Sequence, residues 1–244
     1  MLSMTTTMEP LTTSVRAIAE TLGGGIKENS LLLIEGDARS GKSVLSQYIA
    51  YSVASAKGCS VAYYATDDKE DNLISSMDSM LLYVRHSRVT DRFRIYALGK
   101  VFRDGRDSLQ LLRSDIFGLP ERFKLVVVDS LSLIVKNLDT TTKLDFLQSC
   151  KETCDQKNRS IILTIDTYAL EKNIRPRAYS LSDYYMKLSS LNTILAPGNI
   201  DSRDIKALEV TKLAGAECHV PPCIKFEIKP NVGIQILPLV QIRV

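Results

Sequence analysis

The chain has 244 residues, 45% of them hydrophobic, and a formal net charge of only +3 from 31 basic and 28 acidic side chains. That composition can bury a large core and excludes a disordered chain. The near-balanced charge gives no sign of a nucleic-acid coat or a membrane-surface protein. Residues 1–15 are rich in Met and Thr, lack a charged start and contain no apolar run of secretory length. No stretch approaches the length needed to span a bilayer, and the cysteines, five in number, sit at irregular spacing. The expectation is a cytoplasmic protein with reduced thiols, in which residues 1–11 form a flexible tail.

Taken in chain order, short apolar runs predict strands at Leu31–Ile34, Val61–Ala65, Phe93–Ala97, Leu125–Val128 and Ile161–Ile165. Several are near-continuous in Val, Ile, Leu and Tyr, as strands covered on both faces tend to be. The segments between them carry the helical period. Val44, Leu45, Tyr48, Ile49 and Val53 make one stripe, with Gly58 as its stop. Leu73, Met77, Met80, Leu81 and Val84 make a second, on a helix opened by acidic residues. Leu144, Leu147, Cys150 and Cys154 make a third. After residue 198 the pattern changes, and Lys206–Leu213, Cys223–Lys229 and Gly233–Val244 read as strands joined by Gly, Pro and Asn turns. The predicted fold class is therefore α/β: a mostly parallel sheet flanked by helices, with a C-terminal antiparallel extension. No linker, repeat or low-complexity tract divides the chain, so residues 1–244 are read as one domain.

The strongest motif is Gly36-Asp37-Ala38-Arg39-Ser40-Gly41-Lys42-Ser43, a full G-x-x-x-x-G-K-S between an apolar strand and the helix opened by Val44. Its glycines let the backbone wrap an anion, and its N–H groups point at phosphate oxygens. The helix N-terminus adds partial positive charge. Residues 36–44 are thus predicted to bind ATP, with Lys42 on the β and γ phosphates and the Ser43 hydroxyl on Mg2+. The second element is Leu125-Val126-Val127-Val128-Asp129. It describes a buried strand delivering a carboxylate to the sheet's C-terminal edge, where ligands of open α/β sheets bind. Asp129 is expected to hold the Mg2+ through water.

Upstream, Leu22-Gly23-Gly24-Gly25-Ile26 is followed by Ser30 and the strand into the P-loop. Near the end stand Leu208-Glu209-Val210-Thr211-Lys212-Leu213-Ala214-Gly215 and then Ile224-Lys225-Phe226-Glu227-Ile228. From about Thr12 onward the chain resembles the KaiC-like branch of the RecA superfamily, and among its single-domain members the archaellum (archaeal flagellum) accessory ATPases. The resemblance implies a RecA-like fold and a homo-oligomer, expected to be a ring, with nucleotide at subunit interfaces. It also implies that the segment around Lys212 faces the neighbouring subunit's nucleotide. The implied partners are the archaellum motor ATPase and its scaffold at the cytoplasmic side of the membrane, with weak hydrolysis.

One departure concerns the segment after the second strand. KaiC-like ATPases commonly carry a Glu-Glu pair there, whereas this chain has Thr66-Asp67-Asp68-Lys69. Aspartate is one methylene shorter, so its carboxylate falls short by roughly an ångström, which can cost on the order of a hundredfold in rate. Asp67 and Asp68 are either candidate catalytic residues that orient water or the acidic first turn of the next helix. Two further readings of the family are a DNA recombination ATPase and an autophosphorylating kinase. The first needs flexible basic loops, for which 139–143 and 171–177 are the candidates.

Weaker signals stand beside these. Arg85, Arg88, Arg92, Arg94, Lys100, Arg103 and Arg106 form a basic stretch, either a docking surface or a solvated rim. DNA is disfavoured for it, with few aromatics placed to stack on bases. Cys150 and Cys154 continue an apolar stripe and read as core. Cys218, His219 and Cys223 offer three ligands where tetrahedral zinc needs four.

Overall fold

The computed structural model describes residues 25–55, 59–86, 89–99, 105–193, 203–213, 216–217 and 223–237. The elements in chain order are β1 (Leu31–Gly36), α1 (Lys42–Ser55), β2 (Ser60–Ala65), α2 (Glu70–Ser79), β3 (Phe93–Ala97), α3 (Arg106–Gly118) and β4 (Phe123–Asp129). They continue with α4 (Ser132–Val135), α5 (Thr140–Lys157), β5 (Ser160–Asp166), a 3-10 turn at Thr167–Ala169, α6 (Arg175–Leu181), β6 (Tyr184–Thr193) and β7 (Arg203–Leu213). Strands β8 (Ala216–Glu217), β9 (Cys223–Lys229) and β10 (Gly233–Ile236) complete it.

The strands form one sheet in the order β10-β9-β7-β6-β1-β5-β4-β2-β3, with β8 paired to β7. From β3 to β6 every pairing is parallel, and from β6 to β10 every pairing is antiparallel. The predicted α/β class and its antiparallel extension are both found. Parallel strands need crossovers, and the amphipathic helices supply them. Leu32 and Ile34 of β1 pack on one face with Leu45, Tyr48 and Val53 of α1. Leu31 and Leu33 pack on the other with Leu112, Leu147 and Cys150. That is why β1 reads as a continuous apolar run rather than an alternation.

Three details differ from expectation. The second stripe overshoots its helix: α2 ends at Ser79, and Leu81 is exposed with φ 65°. Met80 and Val84 are nonetheless buried, in the turns that follow. The predicted last strand, Gly233–Val244, is observed as Gly233–Ile236, and residues 238–244 lie outside the described ones. Strand β6 was not anticipated, because Lys187, Ser189 and Ser190 interrupt its apolar positions. Yet its first half, Tyr184–Leu188, pairs in parallel with Leu32–Gly36 of β1, and its other edge turns the sheet from parallel to antiparallel. Gly23, Gly24, Gly58, Arg88, Lys100, Arg103, Cys218 and His219 lie outside the described residues.

Candidate nucleotide site

The C-terminal edge of the parallel sheet brings together the loop after β1, the end of β4, the end of β5 and the segment after β2. Gly36 closes β1 where nothing larger fits: a Cβ there would stand 2.5 Å from the Leu188 carbonyl oxygen and 2.5 Å from Ser40 Oγ. Gly41 has φ +98°, the left-handed region that glycine enters without strain. Asp37, Ala38 and Arg39 are exposed, and Ser40 is buried with no partner for its hydroxyl. Helix α1 begins at Lys42, so its first N–H groups have no acceptor in the preceding turn. Bare N–H groups, forced glycines and an orphaned hydroxyl together suit a phosphate cradle.

Ser43 Oγ donates to Asp129 Oδ1 at 3.0 Å, so the two predicted metal residues do meet. Asp129 is buried and also accepts from Thr164 Oγ1 at 2.6 Å and from Tyr63 OH at 2.6 Å. Burial and the adjacent carboxylate push the Tyr63 hydroxyl well above its usual range, so it remains a donor. Among the described residues no group of three or more His, Cys, Asp or Glu could hold a metal ion. A hydroxyl and one fixed carboxylate still fit Mg2+, which keeps several waters and takes phosphate oxygens rather than an all-protein cage.

The segment 66–68 is stitched to the end of β4: Thr66 N donates to the Asp129 carbonyl at 2.9 Å, and Thr66 Oγ1 to the Ser130 carbonyl at 2.7 Å. Helix α2 starts at Glu70 after its N-cap Lys69, so Asp67 and Asp68 precede the helix and are not its acidic first turn. The Asp67 carboxyl is held above its usual range by desolvation first, and then by the fields of Asp129, Asp68 and Asp166. It therefore lies within the field of Asp129, the residue predicted to hold the metal.

Two contributors were missed by sequence reading. Asp166, the last residue of β5, makes an ion pair with Lys42 Nζ at 2.8 Å. The signal was present, since Ile161–Asp166 repeats the pattern of an apolar run ending in aspartate seen at Leu125–Asp129. Lys206 on β7 is buried and donates to the Arg39 carbonyl of the P-loop at 2.6 Å, to Asp204 Oδ1 at 2.7 Å and to Ser190 Oγ at 3.1 Å. Nothing in its local sequence marks that contact. On the same side, Ile228 Cδ1 of β9 lies 3.1 Å from the point a Gly41 Cβ would occupy. The antiparallel extension thus packs against the phosphate loop.

Lys212 is placed differently from the expectation. It is 8% exposed, and Nζ donates to the carbonyls of Tyr179, Ser180 and Ser182 at 2.7, 3.0 and 2.5 Å. Its ammonium is engaged at the C-terminal end of α6 inside its own chain, because those last carbonyls have no helical partner. This arrangement presents no outward cation at Lys212 to a neighbour's phosphate. Of the basic stretch, Arg85 pairs with Asp71 at 3.0 Å and Arg106 with Asp139 at 2.6 Å, all four exposed or nearly so. The segments considered for a DNA channel are tied down, with Asp139 capping α5 through Thr142 N at 2.9 Å and Lys143 paired with Glu171 at 3.2 Å. Cys150 and Cys154 are buried in the core.

The sequence profile of the family described as "ATPase: KaiC" matches residues 11–241. The chain is 25% identical over 221 residues to the archaeal flagellar ATP-binding protein FlaH of Sulfolobus acidocaldarius, covering 88% of this chain and 92% of that one. It is 24% identical over 218 residues to the FlaH of Methanocaldococcus jannaschii, covering 88% and 89%. The crystal structure of the flagellar accessory protein FlaH from Methanocaldococcus jannaschii superposes with a TM-score of 0.75 at 17% identity, over 96% of this chain and all of that one. With a RecA-like sheet, an intact phosphate loop and a family match over nearly its whole length, this chain belongs to the KaiC family of P-loop ATPases.

Proposed function

We propose that this chain is an ATP- and Mg2+-binding component of the archaellum, acting as one ATP-binding domain. It hydrolyses slowly and uses nucleotide state to control its assembly and its docking on the motor ATPase at the cytoplasmic side of the membrane. The observation that carries the reading is the similarity to three proteins named archaeal flagellar ATP-binding protein FlaH, each over 88% of this chain. Residues 36–44 hold the phosphates, Ser43 and Asp129 hold the metal, and Asp67 and Asp68 orient water less well than glutamates would. No described helix is long and apolar enough to cross a membrane.

The test pairs binding with partnership. Lys42→Ala should lower ATP affinity at least about a hundredfold by calorimetry, because it removes the cation that faces the terminal phosphates. Tagged protein from the native cell should co-purify the motor ATPase with ATP–Mg2+ and lose it in the variant. Wild-type ATP affinity in Lys42→Ala would overturn the site, and partner binding indifferent to nucleotide would overturn the switch.

A further inference from the structure

We propose that Asp166 is a counter-ion to Lys42 that competes with phosphate for its ammonium, so that a triphosphate binds by taking the lysine away from it. The inference rests on residues 36–43 being the ATP cradle.

The geometry is specific. Lys42 Nζ contacts three oxygens of its own chain: Asp166 Oδ1 at 2.8 Å, the Asp37 carbonyl at 2.8 Å and the Gly36 carbonyl at 3.0 Å. An ammonium has three donors, and these three oxygens account for all of them, so phosphate must compete with at least one. Lys42 and Asp166 are 7% and 18% exposed, which makes the pair stronger than one on the open surface and costly to separate. Asp166 cannot readily follow the lysine. Its N–H donates to Ser132 Oγ at 2.7 Å, and the next carbonyl, Thr167, accepts from Arg175 Nη2 at 2.7 Å. Arg175 is held in turn by buried Glu35, at 3.2 Å, the residue just before Gly36.

Moving Lys42 onto phosphate therefore strands a fixed carboxylate whose field reaches Asp67. That residual charge opposes the incoming anion. The ion pair and the phosphate compete for one cation, and the site favours ligands with enough negative charge to win it. Asp166 is a specificity-setting residue here, acting through Lys42, and its sequence signal is no more than a strand ending in aspartate.

The test is Asp166→Asn, which keeps the shape and the Ser132 contact while removing the charge. Two readouts should move in opposite senses. In calorimetry with Mg2+, affinity for a non-hydrolysable ATP analogue should rise roughly tenfold, about 1.4 kcal/mol, and affinity for inorganic tripolyphosphate should rise equally. The melting temperature of the nucleotide-free protein should fall, and that fall should vanish when Lys42 is already alanine. A residue that merely supports the fold would lower both stability and affinity. Unchanged or weakened binding in Asp166→Asn, a gain confined to the ATP analogue, or an equal melting loss in the Lys42→Ala background would each overturn the proposal. If Lys42→Ala abolishes binding while Asp166→Asn shows no gain, the counter-ion role alone fails. If Lys42→Ala binds like wild type, the cradle reading fails with it.

Discussion

At the scale of single residues, the site concentrates carboxylates: Asp67, Asp129 and Asp166 meet at one sheet edge, with Lys42 paired to the last of them. Asp67 registers the crowding, its carboxyl raised by desolvation and then by three neighbouring acids. The sign of the effect on stability follows from linkage. A carboxyl with a raised folded-state pKa holds its proton more tightly folded than unfolded, so its ionisation destabilises the fold. Stability from this group is fully present in acid, below the unfolded value of 3.8, and is lost as pH rises through the raised folded value. Asp67→Asn should therefore raise the melting temperature of the nucleotide-free protein at pH 7 and flatten its dependence on pH in the acid range. A melting temperature unchanged or lowered at pH 7 would show that Asp67 is not strained by its neighbours. Function runs the other way. If Asp67 orients the attacking water it must be ionised, so any hydrolysis should grow as pH rises through the same value, and Asp67→Asn should lower it. If reach is what slows the reaction, Asp67→Glu should exceed the wild-type rate.

At the scale of elements, several cations act as ties between backbone segments. Arg159, 1% exposed, donates to the Ile116 and Leu119 carbonyls and so secures the end of α3. Lys212 does the same for α6 from β7, and Tyr179 OH returns a hydrogen bond to the Thr211 carbonyl at 2.9 Å. Lys212→Met keeps the aliphatic stem but leaves three carbonyls without their donor. It should cost about 2–4 kcal/mol in urea denaturation of dilute protein. A change within about 0.5 kcal/mol would mark the lysine as a solvated strand residue. This kind of contact explains what the sequence left unread. The parallel strands announced themselves because burial on both faces demands unbroken runs such as Leu125–Val128, and the P-loop did so because its glycines and lysine must stand in fixed order. Strand β6 was hidden by the polar positions Lys187, Ser189 and Ser190, although its pairing with β1 fixes its place. Lys206, Arg159 and Lys212 each reach backbone carbonyls distant in sequence, and a carbonyl has no residue type to recognise. Asp166 was legible in principle, by the same rule that found Asp129.

At the scale of the whole molecule, the P-loop is contacted by both halves of the sheet. On the parallel side Lys42 meets Asp166, and on the antiparallel side Lys206 holds the Arg39 carbonyl while Ile228 lies against Gly41. If phosphate draws Lys42 from Asp166 and shifts the loop carbonyl that Lys206 holds, a ligand there acts on β5 and on the β7–β9 extension together. That gives ATP a physical means of altering surfaces distant from the phosphates. Whether it shifts an equilibrium depends on a difference in its affinity for the two states. A coupling of about 1–3 kcal/mol would change association roughly 5- to 150-fold. If the chain forms a ring with nucleotide between subunits, assembly should strengthen with a non-hydrolysable ATP analogue and Mg2+. ADP should be less effective, and hydrolysis should not be required. Lys206→Met should weaken this response while leaving Lys42, Ser43 and Asp129 to bind nucleotide, because it cuts the tie between the extension and the loop. Analytical ultracentrifugation over a range of protein concentration measures it. Identical sedimentation with and without the analogue would remove nucleotide from the control of assembly, and an unimpaired response in Lys206→Met would place the coupling outside the antiparallel extension.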